Sequence, residues 1–163
     1  MLVRDFRPAD LDRLIDLTIE TFRPFYENSF PAMVGHDAGL IEHQHGQWEQ
    51  DYRDEVPTLH EPTQGRHVLV AEADDGVLAG YVAWRPDSRP DHAEIYLLAV
   101  GEPHRHQRVG TDLVTEAMSR MRAAGTRFVG LGTGGDDFHA PARRLYEAMG
   151  FHPIPIVGYL RSL

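Results

Sequence analysis

Apolar and polar positions change period several times along the chain, and each change marks an element. "VRDF" (Val3–Phe6) alternates as a strand does. Leu11, Leu14, Ile15, Ile19 and Phe22 then recur at the spacing of one helix face. Pro24 lacks a backbone donor and is expected to end that helix. Residues 25–66 hold no sustained period, carry Pro31, Pro57, Pro62 and several glycines, and are expected to form a short helix over Ile41–Tyr52. "HVLVAEA" (His67–Ala73) and "VLAGYVAW" (Val77–Trp84) read as two strands joined through "DDG", a hairpin signal. "AEIYLLAV" (Ala93–Val100) reads as a fourth strand.

A second strong helical period follows over about Arg108–Ala124. Val109, Leu113, Ala117 and Met121 lie on its apolar face, with Val114 and Met118 beside them and Gly125 as its cap. "RFVGLGT" (Arg127–Thr133) is another strand. A short helix starts near Pro141, with Ala142, Leu145, Tyr146 and Met149 on one side and Gly150 closing it. The tail "FHPIPIVGYLRSL" is expected to form broken terminal strands. The order predicts an α/β chain: a mixed sheet carrying helices.

Length and composition narrow this picture. The 163 residues fit a single domain over 1–163, with ordinary hydrophobic (42%) and charged (25%) content. The chain has no cysteine, so disulfides, thiol nucleophiles and cysteine-ligated zinc are excluded. No apolar run reaches the ~18 residues of a membrane span, and the first residues lack the apolar core of a signal peptide, so a cytoplasmic protein is expected. The net charge of −9 disfavours nucleic acid as a partner and suits a cationic one.

Against that acidity, "RHQRVG" (Arg105–Gly110) is a local basic exception, set between the fourth strand and a helix start. A helix N-terminus offers unpaired N–H groups and partial positive charge, and a loop running into it aims several amides at one phosphate. The segment therefore reads either as a polar surface loop or as a pyrophosphate cradle.

Two other patterns lead nowhere. "GLGTGG" matches a dinucleotide fingerprint at Gly130, Gly132 and Gly135, but only 28 residues follow and no Asp or Glu comes after Glu147. The pairs His43/His45 and His104/His106 lack an HExxH frame and read as loop histidines, so no metal is expected.

The segment "AEIYLLAVGEPHRHQRVGTDLV" resembles the core signature of the GNAT superfamily of N-acetyltransferases: a strand, a short loop, then Gln/Arg-x-x-Gly-x-Gly/Ala opening a helix. "HAPARRLYEAMGF" (His139–Phe151) resembles that family's second motif, Asn-x-x-Ala-x-x-Leu-Tyr-x-x-x-Gly-Phe. The resemblance implies the GNAT acyl-CoA N-acyltransferase fold, with about six to seven strands and four helices, and acetyl transfer from acetyl-CoA to a primary amine. The alternative it leaves open is a non-catalytic acyl-CoA-binding or sensor module.

The same resemblance assigns residues. Leu98, Ala99 and Val100 would pair with the pantetheine arm. The stretch Arg105, His106, Gln107, Arg108, Val109, Gly110 and Thr111 would hold the pyrophosphate. His139 and Arg143 of the second motif would add cofactor contacts. Glu94, in wording close to the histone-acetyltransferase branch, would be the base, with His92 and Asp91 as alternatives. Tyr146 would return a proton to the CoA thiolate. The acidic, aromatic stretch Asp37–Glu55, with Trp48 and Tyr52, would face a cationic acceptor. A homodimer is a mild expectation, and neither a membrane nor a metal is implied. The chain departs from the pattern twice: Arg108 stands at the first glycine, where a negative φ would leave backbone donation open and a modest effect is expected, and His139 replaces the asparagine.

Overall fold

The computed structural model describes residues 1–163. Five strands form one sheet in the order β1-β2-β3-β4-β5: Leu2–Asp5, His67–Glu72, Leu78–Pro86, His92–Val100 and Phe128–Leu131. Neighbours are antiparallel except β4 and β5, which run parallel. The helices are α1 (Leu11–Pro24), α2 (Phe30–Met33), α3 (Ala38–His45), α4 (Trp48–Glu55), α5 (Val109–Ala123) and α6 (Ala140–Ala148). The chain divides into two compact units, Met1–Thr21 with Tyr52–Gly132, and Phe22–Asp51 with Thr133–Leu163.

The first unit contains the sheet and α5. Strand β3 is buried along Leu78–Trp84, while β4 alternates, burying Ala93, Ile95, Leu97 and Ala99. Helix α5 lies across β3 and touches β1, β2 and β4, burying Val109, Leu113, Val114, Ala117 and Met121 as its spacing predicts. Between β2 and β3 the turn is closed by Gly76 at φ 82°, and the amide of Ala73 donates to Val77 O at 2.8 Å. Arg4 clamps the sheet edge, donating to both oxygens of Asp10 (2.8 and 2.9 Å) and to Glu72 (2.6 Å). Its guanidinium holds the Asp10 carboxyl below the usual range, against the opposing effect of burial. At Gly80 a Cβ would meet Ala99 O at 2.7 Å, so only glycine lets β3 lie against β4 there.

The second unit is built on aromatic contacts. Phe25 packs on Phe138 (5.7 Å) and His139 (5.0 Å), Phe30 on His45 (4.3 Å), and Tyr26 stacks on Trp48 (4.6 Å, 10°).

One expectation holds with an addition, and two need correction. Pro24 closes α1 as expected, although the helical path goes on through a π-helical turn, Phe25–Ser29, into α2. The single helix expected over Ile41–Tyr52 is two, α3 and α4, broken at Gly46–Gln47. The tail forms no strand, so the sheet has five strands. Pro153 and Pro155 stand two apart, so the same edge of such a strand would lack both donors.

Candidate functional site

The β4–β5 pairing is short. It runs from His92↔Phe128 to Ile95↔Leu131 and stops, although β4 continues to Val100. On its other side β4 stays paired with β3 as far as Gly80↔Val100. Residues Leu97–Val100, including Leu98, Ala99 and Val100, thus have a strand partner on one edge only. The chain then turns sharply. Gly101 donates to Ala79 O at 2.9 Å, a 3₁₀ turn covers Glu102–His104, and α5 begins at Val109.

The loop is held by its own side chains. Arg105 donates from Nε to Val100 O at 3.2 Å, and the Gln107 amide donates to Pro103 O at 2.8 Å. His106 and Arg108 both sit in the left-handed region, at φ 61° and 64°. The negative φ on which a modest effect of Arg108 depended is therefore not found. The family pattern puts glycine at this position, and the backbone has the conformation that glycine favours, with an arginine side chain on it.

The consequence is a helix start without a cap. Arg108 is the N-cap residue and makes no side-chain capping bond. The first bond of the helix runs from Asp112 N to Arg108 O at 2.9 Å, so the amides of Val109, Gly110 and Thr111 precede it and have no acceptor inside the helix. Arg105, His106, Gln107 and Arg108 are exposed around them. Unpaired amides, the positive end of a 15-residue helix and two arginines together suit an anionic group.

Glu94 lies on β4, on the same side as Tyr96, Leu98 and Val100. Its Oε2 accepts from Arg85 Nε at 2.8 Å. The Arg85 guanidinium covers the Tyr96 ring at 3.8 Å, and the Tyr96 hydroxyl donates to Glu55. Burial, with Glu55 adding to it, pushes the Tyr96 phenol up to about 12. The sequence pointed to neither Arg85 nor Tyr96, while Glu55 closes the acidic stretch Asp37–Glu55 expected to face the acceptor. Tyr96 was the findable one, two residues beyond Glu94 and therefore on its face. The alternatives to Glu94 are engaged at the strand end. His92 bonds Pro90 O (2.7 Å) and stacks on Phe128, and Asp91 O accepts from the amides of Arg127 and Phe128.

In the second unit, α6 carries Tyr146, which is 8% exposed. Burial raises its phenol to about 12, keeping it protonated at neutral pH. His139 and Arg143 turn onto their own loop. His139 Nδ1 pairs with Asp136 at 2.6 Å, and Arg143 donates to Gly134 O (2.5 Å) and Asp136 O (2.6 Å). Trp48 opens α4, stacked on Tyr26 with the Arg23 guanidinium 5.4 Å from its ring. Tyr52 follows one turn later on α4.

Comparisons with known proteins bear on this geometry. The sequence pattern of the Acetyltransferase (GNAT) family matches residues 20–151. A GNAT-family acetyltransferase from Brucella melitensis, solved in complex with acetyl-CoA, superposes with a TM-score of 0.63 at 22% identity, covering 93% of this chain and 82% of that one. A GNAT-family acetyltransferase from Staphylococcus aureus gives 0.67 at 14% identity, covering 94% and 85%. A protein described as a transcriptional regulator, from Bacillus halodurans, gives 0.65 at 17% identity over 99% of both chains. No curated protein sequence matches the chain. At these identities the structures speak for the fold, and the family pattern, spanning most of the chain, speaks for descent. With both motifs in place on that fold, the chain belongs to the GNAT acetyltransferase family.

Proposed function

We propose that the protein is an acetyl-CoA-dependent N-acetyltransferase that passes the acetyl group directly to a primary amine of a small molecule or peptide. One observation carries the reading: β4 parts from β5 after Ile95 and leads into an uncapped helix start. The half-paired edge at Leu98–Val100 offers backbone groups to the amides of a pantetheine arm. The amides of Arg105–Thr111, with the Arg105 and Arg108 side chains, offer a seat to the pyrophosphate. A Brucella relative that binds acetyl-CoA on the same fold adds support.

In this reading Glu94 takes the proton from the acceptor ammonium, directly or through water. The freed nitrogen attacks the thioester carbon, the C–N bond forms and the C–S bond breaks. A β4 amide hydrogen-bonds the developing oxyanion. Tyr146, protonated at neutral pH, donates to the departing thiolate, and the second proton released from the acylated nitrogen restores the tyrosine through solvent. Trp48 and Tyr52, in an acidic stretch, contact the acceptor, and the charge of −9 favours a cationic one.

The test is thiol release from acetyl-CoA in the presence of spermidine, lysine, an amino sugar and a lysine peptide. Turnover with at least one amine is expected, with Glu94→Gln and Tyr146→Phe slowing it strongly while the CoA-induced rise in melting temperature stays near that of wild type. CoA binding with no turnover on any amine would favour the binding-module alternative.

A further inference from the structure

Glu94 is held from the neighbouring strand. Arg85 is its cross-strand partner in the β3–β4 ladder, with Nε on Oε2 at 2.8 Å. Tyr96 is the residue that the ladder skips, since Ala83 pairs with Leu97 and Trp84 with Ile95. A bulge of this kind re-aims a side chain. Here the Tyr96 ring lies under the Arg85 guanidinium, and its hydroxyl is tied to Glu55 at the end of α4. Glu55, Arg85 and Tyr96 line one small cavity.

This arrangement is more than folding requires. The Arg85 and Glu94 side chains are 43% and 38% exposed, and ion pairs so open to water add little to stability. Yet the guanidinium is fixed by charge, by stacking on a ring and, through that ring, by a second carboxylate. Such a clamp sets the orientation of one carboxylate.

We propose that Arg85 is a positioning residue for Glu94, engaging Oε2 and leaving Oε1 to receive the proton of the acceptor ammonium. The inference rests on the reading of Glu94 as the base. In the step, the ammonium N–H bond breaks, its electron pair stays on nitrogen, and the proton passes to Oε1 directly or through one water, leaving later to solvent. Arg85 remains a cation throughout.

The test compares the full-length wild type with Arg85→Met, Arg85→Lys, Glu94→Gln and the Met/Gln double variant, using acetyl-CoA and the amine panel above. Arg85→Met is expected to lower kcat about ten- to a hundredfold, with the KM for acetyl-CoA within about twofold. Arg85→Lys keeps the charge and recovers part of the loss. The double variant is expected to be no slower than Glu94→Gln alone, because both changes disable one unit. The CoA-induced melting shift is expected to be unchanged in all four. If Arg85→Met and Arg85→Lys both match wild type while Glu94→Gln is slow, the positioning role is overturned and the base assignment stands. If Glu94→Gln matches wild type, or wild type turns over no amine, the reading beneath the inference fails and takes the inference with it.

Discussion

The hydroxyl of Tyr81 on β3 lies 2.6 Å from that of Thr18 on α1, and both residues are fully buried. Thr18 spends its own proton on Leu14 O at 2.6 Å, so Tyr81 is the donor between them. Burial pushes the Tyr81 phenol well above its ordinary value, so it remains a donor. Replacing Thr18 by Val keeps the shape and removes the acceptor. Thr18→Val is therefore expected to lose about 1–3 kcal/mol of folding stability, the penalty of a stranded buried hydroxyl. Adding Tyr81→Phe removes the stranded group, so the double variant loses less than the sum of the two. Urea unfolding of the three variants measures this, and a Thr18→Val protein as stable as wild type contradicts it.

Arg108 sets up a second comparison. A non-glycine residue in the left-handed region bears roughly 1–2 kcal/mol of local strain. Arg108→Gly relieves it, at the expense of a more flexible unfolded chain. Arg108→Ala removes the same side chain but keeps the strain. The glycine variant is expected to be about 1 kcal/mol more stable than the alanine variant. Equal denaturation midpoints would show that φ 64° is not held here in solution.

Acid sensitivity follows from His45. Its ring sits against Phe30 (4.3 Å) and Tyr26 (4.9 Å), and burial lowers its pKa, with Asp51 partly opposing. The folded ring thus stays neutral in a range where an unfolded imidazole, with its ordinary value near about 6.5, takes up a proton. The unfolded state binds more protons there, so stability is complete above about pH 6.5 and falls as the pH drops toward the lowered folded value. His45→Gln removes that share of the slope. Denaturant midpoints at pH 7.5 and 5.5 test it, and an unchanged slope in the variant sinks the assignment.

Much of this was legible in the sequence because it rests on local periodicity. The alternation of Ala93–Val100 and the apolar face of Val109–Met121 fixed β4 and α5, and with them the place of the proposed cradle. What stayed hidden depends on register or on backbone geometry. Nothing along the chain says that Arg85 faces Glu94, since that follows from how β3 lies on β4 and from the residue skipped at Tyr96. The left-handed Arg108 was hidden because arginine carries no signal for that conformation, as glycine would. His139 and Arg143 matched the family motif by position, while their bonds to Asp136 and Gly134 arise from a loop that pattern does not describe. Pro24 closed α1 where the residue pattern placed its end, while the π turn beyond it carries no signal in residue type.

The central claim is that acetyl-CoA sits on the half-paired edge of β4 and the start of α5. Amide hydrogen exchange followed by mass spectrometry, with and without acetyl-CoA, tests both the binding and its place. The account predicts slower exchange in peptides covering residues 97–111, where amides now open to solvent gain partners, and little change across β1 and β2. Unchanged exchange over 97–111 at saturating acetyl-CoA, or protection confined to other segments, would contradict it.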